Sequence, residues 1–418
     1  MEANVIGKFT NSGRCVVKYG KQTVLGLEMD FLHNGRPIKH RYSQKTQVRN
    51  PDPEIKIADN FNKEVLNLLA QPNIAGFAFI SQQYDHEVQG GSVLKPLQGA
   101  GRINADSSVT RPILTSKKGV VLSYGLTPSY SEIDSYAMAA AAIDSAVRAA
   151  VATGADPDFL ALLDNFCWCS SDEPARLAQL KDALKACFDV ATIFGTPFIS
   201  GKDSMYNDFK GFDVNGRPVK ISIPPTLLIS AIGVVPDVAK TVSLDAKMPG
   251  DLIYILGQTH NELGGSEFLK SLNNASPGNN VPAVDAEKNL QMYRAFYKAV
   301  QQNLIASAIS VSKGGLAVAL AKMCAGGNLG ATIDIENMPG TAQANYTKLF
   351  SESQGRILVS IAPQNRKKFE RLMPESIFAK IGGLTSRPAI VINDEKKNVL
   401  NLKTADALKA YESTFENF

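Results

Sequence analysis

The two ends of this chain carry the same short piece of sequence. Sliding the 418 residues by 375 positions sets Val5–Leu27 against Lys380–Leu402 without a gap. Ile6, Gly7, Thr10, Lys21, Val24, Leu25 and Leu27 coincide with Ile381, Gly382, Thr385, Lys396, Val399, Leu400 and Leu402, while Cys15, Val16 and Val17 face Ile390, Val391 and Ile392. A shared apolar rhythm of this kind predicts the same strand hairpin at both termini. If Lys380–Phe418 finishes one structural unit, Val5–Leu32 is the finishing piece of another, whose body is not in this sequence. The chain is therefore expected to be one copy of a duplicated unit, preceded by the tail of its sister.

Between the repeats there is room for two or three domains at ~100–200 residues each. Asn34–Asn50 is rich in Gly, Pro, Lys and Arg, and Pro51-Asp52-Pro53 makes a break, so this stretch reads as a linker. Apolar spacing predicts a short helix over Ala58–Leu69. The expected division is 1–47 for the tail hairpin and linker, 48–71 for a linker helix, 72–236 for a first full domain and 237–418 for a second. The first contains an Ala-rich helix, Ser135–Thr153, whose small-residue face suits close packing, and ends on a strand, Thr226–Val235. The second is expected to hold strands at Leu252–Leu256 and Gly355–Ile361 and helices at Glu287–Asn303 and Leu316–Met323.

The most chemically suggestive stretch runs from 159 to 207. Phe159–Leu163 is short enough for a buried strand and ends on Asp164 and Asn165. Ser171 to Pro174 offers cap-type residues and a proline for a first helical turn, and Leu177, Leu180, Leu184, Cys187, Phe188 and Ala191 recur at helical spacing up to Gly195. A second strand, Pro197–Ile199, runs into Ser200–Ser204, which reads as a glycine turn carrying an ammonium, a carboxylate and a hydroxyl. If the two strands are neighbours, Asp164 and that turn face one crevice. A Walker phosphate loop is excluded, because Gly195 stands too far before Gly201 and position 203 is Asp rather than a hydroxyl. The same residues also read as simple caps and turn chemistry. Lys313-Gly314-Gly315, just before a helical run, offers a second anion-binding or merely turn-forming glycine pair.

Composition excludes several function classes. Apolar residues make up 44% and charged residues 20%, the pattern of an ordinary globular chain, and the net charge of +4 comes without a basic, aromatic-interleaved cluster for nucleic acid. No apolar run approaches the ~20 residues of a membrane span and no signal peptide opens the sequence, so a cytoplasmic protein is expected. Cys15, Cys167, Cys169, Cys187 and Cys324 form no disulfide framework or metal pairs, and His33, His40, His86 and His260 lack metal-ligand spacing.

Four segments, Gln83–Gly90, Ala155–Trp168, Gly195–Met205 and Leu349–Arg356, taken in this order, resemble the second half of the synthetase portion of phosphoribosylformylglycinamidine synthase, a glutamine- and ATP-dependent ligase of purine biosynthesis. The resemblance implies an α/β (α+β) aminoimidazole-ribonucleotide-synthetase-like two-domain unit whose sheets pair into a central barrel. It implies ATP and magnesium as cofactors. The reaction would have ATP phosphorylate the amide oxygen of formylglycinamide ribonucleotide, after which ammonia displaces phosphate. By motif matching, Asp164 and Gly201 contact nucleotide and Ser204 contacts substrate. Lys202 stands where some relatives have a metal-binding Asn; an ammonium cannot bind magnesium, which leaves it for phosphate and Asp203 for the metal.

No Ser-His-x-His motif is present, so the family's catalytic histidine is not encoded here and no catalytic residue is assigned to this chain. The resemblance also implies a second nucleotide pocket, with Asp106 in an Ala-Asp metal motif. There the matched Glu and Asn are Ser145 and Ala149, and an Asp-x-Ser-Asp-Gly-Gly loop has become Ser310, Val311, Ser312, Lys313, Gly314 and Gly315. No tight magnesium–nucleotide complex is expected at this pocket. The implied partners are the missing N-terminal synthetase half, a glutamine amidotransferase subunit or domain and a small nucleotide substrate, with no nucleic acid or membrane. A non-catalytic copy that completes a barrel with a partner chain is the alternative, and a selenophosphate- or thiamine-phosphate-type relative is a third reading, which the LLDNFCW and SGKDSM stretches oppose.

Overall fold

A computed structural model of the chain describes residues 2–46, 49–51, 53, 55, 59–83, 87–272 and 276–418. Tyr84, Asp85 and His86 of the first matched segment, Asp52 of the linker break and the start of the helix expected from Ala58 lie outside the described residues. Among the described residues that helix is Asn62–Leu69. The chain forms two compact units, Met1–Tyr42 and Ser43–Phe418.

The first unit is a hairpin of strands Arg14–Tyr19 and Gln22–Glu28 followed by a helix, Met29–Asn34. The second unit ends on strands Ala389–Asp394 and Lys397–Lys403 and a helix, Thr404–Ser413. The two hairpins share their register pair for pair. Arg14 faces Glu28 as Ala389 faces Lys403, and the register slips after Val17 as it slips after Ile392, so each pair differs by the same 375 positions. Their surroundings differ. Val17, Val24 and Leu25 are 48%, 56% and 36% exposed, whereas Ile392, Val399 and Leu400 are 0%, 0% and 1% exposed. The C-terminal copy is covered because Ala389–Asp394 runs parallel beside Gly330–Asp334 and joins a buried apolar cluster. Likewise Phe378–Thr385 is a strand held between Leu252–Leu256 and Gly330–Asp334, while the described residues that precede the first hairpin form no strand.

The second unit holds two large sheets. A six-stranded sheet runs Ser92–Leu94, Ser107–Thr110, Gly119–Leu126, Thr226–Val235, Leu160–Cys167, Phe198–Ser204, with only the last pair parallel. Burial alternates along Gly119–Leu126 and Thr226–Val235, so one face is covered and the other open. The covering helix is Ser135–Ala152, capped by the Asp134 carboxylate, which accepts from the Ala137 N–H at 2.9 Å. Its small residues let it ride directly on the sheet: a Cβ at Gly125 would sit 1.9 Å from the Ala142 carbonyl oxygen.

The second helix, Pro174–Phe194, follows the expected span, but its buried face is set by Ala178, Ala183, Ala186, Cys187, Val190 and Phe194. Leu184 and Phe188, expected on the buried face, point to solvent. Glu173 stands at the cap with no side-chain cap bond, so the proline at the first turn, not a capping side chain, opens this helix.

A seven-stranded sheet runs Ser307–Ser310, Ile357–Ile361, Leu252–Leu256, Phe378–Thr385, Gly330–Asp334, Ala389–Asp394, Lys397–Lys403. The helix Ala286–Gln301 lies between this sheet and the two helices of the six-stranded sheet, and one apolar core runs through all of them. That shared core brings the Ser310–Gly315 and Ser351–Gly355 loops against the Ser135–Ala152 helix. Among the described residues neither sheet closes on itself, so the central barrel implied by the resemblance is not formed by this chain alone.

Candidate functional site

The stretch expected to be a glycine turn is a strand. Leu160–Cys167 continues through Asp164 and Asn165, and Phe198–Ser204 includes Gly201, Lys202 and Asp203. The reason is the parallel ladder between them, which satisfies backbone groups on one side and leaves polar side chains in water at the sheet edge. The strands are neighbours, with Asp164 opposite Gly201 and Phe166 opposite Asp203. The pleat then divides the expected site. Asp164, Gly201 and Asp203 lie on the helix side, whereas Lys202 and Ser204 lie with Leu163 and Asn165 on the open side. The Lys202 ammonium donates to the Ser204 hydroxyl. On the open side Leu163, Asn165, Ser200, Lys202, Leu228 and Ser230 line a shallow cavity of about 200 Å³, to whose lining Asp164 and Gly201 also contribute.

Gly201 has a steric reason to be glycine that a turn would not have supplied. A Cβ there would come within 2.6 Å and 2.8 Å of the two Asp164 carboxylate oxygens. Burial raises the Asp164 carboxyl above its ordinary range against the Lys202 N–H, which lowers it, and the Asp203 charge adds to the rise. Neither Asp164 nor Asp203 has an ion-pair partner among the described residues. Two carboxylates without cation partners, on neighbouring strands and the same face of the sheet, fit the protein's share of a magnesium–phosphate site, which is commonly one or two carboxylates plus phosphate oxygens and water.

The second pocket is enclosed between the two sheets. Asp106, Ser145, Ala149, Ser310, Ser312 and Lys313 all line one cavity of about 130 Å³, together with Tyr130, Lys322, Glu352 and Gln354. Asp106 accepts from the Ser310 N–H at 2.6 Å, and Ser145 donates to the Gln354 amide oxygen at 3.1 Å. Burial raises Asp106, opposed by the Ser310 N–H, Lys322 and Arg148.

Two buried groups in the pocket's wall escaped sequence reasoning. Arg148 is fully buried, pairs with Asp144 and reaches the Ser310 hydroxyl at 2.8 Å and Gln354 at 3.0 Å. Burial pulls this guanidinium's pKa down, yet Asp144 and Tyr293 leave it raised. Asp144 in turn accepts from Asn289, Tyr293 and the Gly355 N–H. Glu352 accepts from the Tyr130 hydroxyl at 2.6 Å and from the N–H groups of Gly314 at 2.9 Å and Glu267 at 3.0 Å. The helix start at Gly314–Gly315 therefore already holds an anion, the protein's own Glu352. The signal that could have found Arg148 is its position: a lone arginine, four residues after an aspartate, inside an Ala-rich helix.

Magnesium does not fit this second pocket. Ala149 supplies no donor, the one open carboxylate already takes a backbone N–H, and Lys313 and Lys322 bring ammonium groups into the cavity. No group of three or more His, Cys, Asp or Glu side chains able to hold a metal occurs among the described residues. The five cysteines are free, and burial pushes the Cys187 and Cys324 thiols up to about 12. Among the described residues no helix is long and apolar enough to cross a membrane.

Residues 248–395 match the family model of the AIR synthase related protein, C-terminal domain. The chain is 34% identical, over 99% of its length, to the phosphoribosylformylglycinamidine synthase subunit PurL of Methanocaldococcus jannaschii, of which it covers 55%. It is 32% identical to the PurL subunit of Thermococcus sibiricus, covering 54% of it. The chain thus spans about half the length of the curated relatives it matches. Among solved structures, T. maritima PurL complexed with FGAR superposes with a TM-score of 0.63 at 18% identity, over 83% of this chain and 53% of that one, a likeness of fold. The resemblance read from the four matched segments is thereby established: the chain is a relative of the PurL proteins along about half of their length.

Proposed function

We propose that this chain supplies one half of an ATP-dependent synthetase that converts formylglycinamide ribonucleotide to formylglycinamidine ribonucleotide in purine biosynthesis, in the cytoplasm. The observation that carries this reading is the end-to-end similarity to PurL combined with coverage of only about half of it. The bare hairpin supports the same reading. Its buried counterpart has a parallel strand beside it and an apolar cluster beneath it, so a sister unit with an equivalent sheet is the body that fits the exposed Val17, Val24 and Leu25. The open face of the six-stranded sheet offers a matching half-barrel.

In this reading Asp164 and Asp203 are the residues that would hold a magnesium ion, which would supply neutralisation of nucleotide phosphate charge. Gly201 keeps room for the Asp164 carboxylate in that position. On the open face of the sheet, Lys202, on its flexible stem, would reach a phosphate at the sheet edge and leave the Ser204 hydroxyl to donate to substrate; the carboxylates approach the same phosphate from the other face, around the end of the edge strand. The complementary half brings the general base, and a glutaminase brings ammonia to displace the phosphate from the activated amide carbon. The alternative, in which this chain acts only as a structural copy, shares every feature except the edge carboxylates.

Reconstitution tests the proposal. The chain is mixed with a polypeptide carrying the complementary half of a PurL-type protein and assayed with formylglycinamide ribonucleotide, ATP, magnesium and ammonia. Turnover is expected only when both halves are present, and it should fall on Asp164→Asn by at least about a hundredfold, the scale of losing an electrostatic contact to the transition state. Turnover by the chain alone overturns the assignment of the general base to the other half. Full activity of the Asp164→Asn assembly favours the structural copy.

A further inference from the structure

We infer that Ala3–Thr10 is a strand without its sheet: it folds by inserting between two strands of the complementary half, and the hairpin behind it then clamps one of those strands from its other edge. The inference rests on the reading of this chain as one half of a duplicated synthetase, and it names a contact that joins the halves. The offset of 375 positions that matches the two hairpins carries Ala3–Thr10 onto the strand Phe378–Thr385. That strand is antiparallel to Leu252–Leu256 on one edge and to Gly330–Asp334 on the other. Gly330–Asp334 has Ala389–Asp394 parallel on its far side, followed by Lys397–Lys403. Both neighbours of Gly330–Asp334 therefore belong to the repeated segment. A sister unit of the same build, without that segment, has one strand with two bare edges, and its unpaired N–H and C=O groups are a template for the missing strands.

The side chains of the free segment suit that berth and nothing around them. Ile6 and Phe9 are fully exposed, whereas their counterparts Ile381 and Leu384 are buried. Gly7 carries the argument furthest. A Cβ on Gly7 would meet open space, and its φ is not in the left-handed region, so the free chain gives it no reason to be glycine. A Cβ on its counterpart Gly382 would collide with the Thr332 carbonyl oxygen and press on Ile333 of the neighbouring strand. The steric need for glycine at position 7 therefore arises only once the segment lies between strands. The helix Met29–Asn34 follows the same pattern, since Leu32 is exposed where its counterpart Ala407 is buried. A second copy of this chain is not the occupant, because Phe378–Thr385 already fills the corresponding place in its sheet.

The test is amide hydrogen exchange on the whole chain, alone and mixed with a polypeptide that carries the complementary half of a PurL-type protein and ends before the residue matching Ala3. The amides of Ala3–Thr10 are expected to exchange freely in the chain alone and at least about a hundredfold more slowly in the mixture, as strand amides do. Sedimentation of the mixture measures the affinity, which Gly7→Val and Phe9→Asp are each expected to weaken by at least about tenfold. Thermal melts of the two variants should match the parent, because both side chains stand in solvent in the free chain. Free exchange of Ala3–Thr10 in the mixture, slowed exchange in the chain alone, no association, or a Gly7→Val chain that associates as tightly as the parent would each overturn the inference. Turnover by a mixture in which Ala3–Thr10 still exchanges freely sinks this inference and leaves the synthetase reading standing. Slowed exchange in a mixture without turnover does the reverse.

Discussion

The two candidate sites of this chain are built from similar residue types and are opposites in how those residues are partnered. At the edge of the six-stranded sheet, Asp164 and Asp203 stand without cations and Lys202 leans on a neighbouring hydroxyl. Between the sheets, Arg148, Asp144 and Glu352 are buried and each is held by several partners. Asp203 is exposed and Asp164 only partly buried, and among the described residues neither has a cation to give up, so they can be handed to a ligand at less cost than a buried pair. A buried and paired carboxylate cannot be withdrawn without exposing its partner to an apolar interior. Pairing, more than residue identity, therefore separates a place for chemistry from a place that holds the fold.

The sharpest way to break this comparison is to cut the inner network. Arg148→Met leaves Asp144 buried with neutral donors only, and removing one member of a buried ion pair costs about 3–5 kcal/mol. Urea denaturation of the chain measures it. A loss below about 1 kcal/mol would mean that the inner network is dispensable and that the contrast between the sites is one of geometry alone.

What the sequence made legible follows the same division. The terminal repeat was readable as a hairpin because a hairpin is local: alternation and turn spacing are set by neighbours in sequence, and the structure adds the register, with the slip after Val17 recurring after Ile392. The Ala-rich helix was readable for the same reason. The edge strand was not, since Gly201, Lys202 and Asp203 carry turn-forming chemistry and nothing local shows that a parallel neighbour will hold them extended. The buried face of Pro174–Phe194 was misjudged because close packing against another helix favours alanine over Leu184 and Phe188, a preference set by the partner. Glu352 was quoted only as part of a motif; its role as the anion at the Gly314 helix start depends on contacts from three separated segments.

A second, smaller effect sharpens the comparison within the inner pocket. Tyr130→Phe removes one of three donors to Glu352 and leaves the other two, which are backbone groups. A hydrogen bond to a charged group contributes about 1.5–3 kcal/mol, so the variant should be clearly destabilised yet less so than Arg148→Met. Equal losses would show that the Glu352 and Arg148 clusters unfold as one network through Gln354, which touches Arg148 and donates to the Glu352 carbonyl.

The smallest effect is expected where the chemistry is proposed. Asp164→Asn keeps the shape of the side chain, takes away a charge that has no cation beside it and leaves the Lys202 N–H an amide oxygen to bond. Its effect on the stability of the chain should lie within about 0.5 kcal/mol, as for substitutions away from buried features. The sign of the pH dependence adds a second check. Because burial raises the folded Asp164 carboxyl above its unfolded value, the folded state binds the proton more tightly; this residue opposes folding at neutral pH, and the penalty fades as pH falls through the folded pKa toward the unfolded one. The Asn variant lacks that titration, so the difference between parent and variant should shift in the parent's favour as the pH is lowered through the acid range. Denaturation curves of both proteins across that range measure it. If the Asn variant instead lost several kcal/mol at neutral pH, Asp164 would belong with Arg148 among the groups that hold the fold, and the edge would no longer be the place for chemistry.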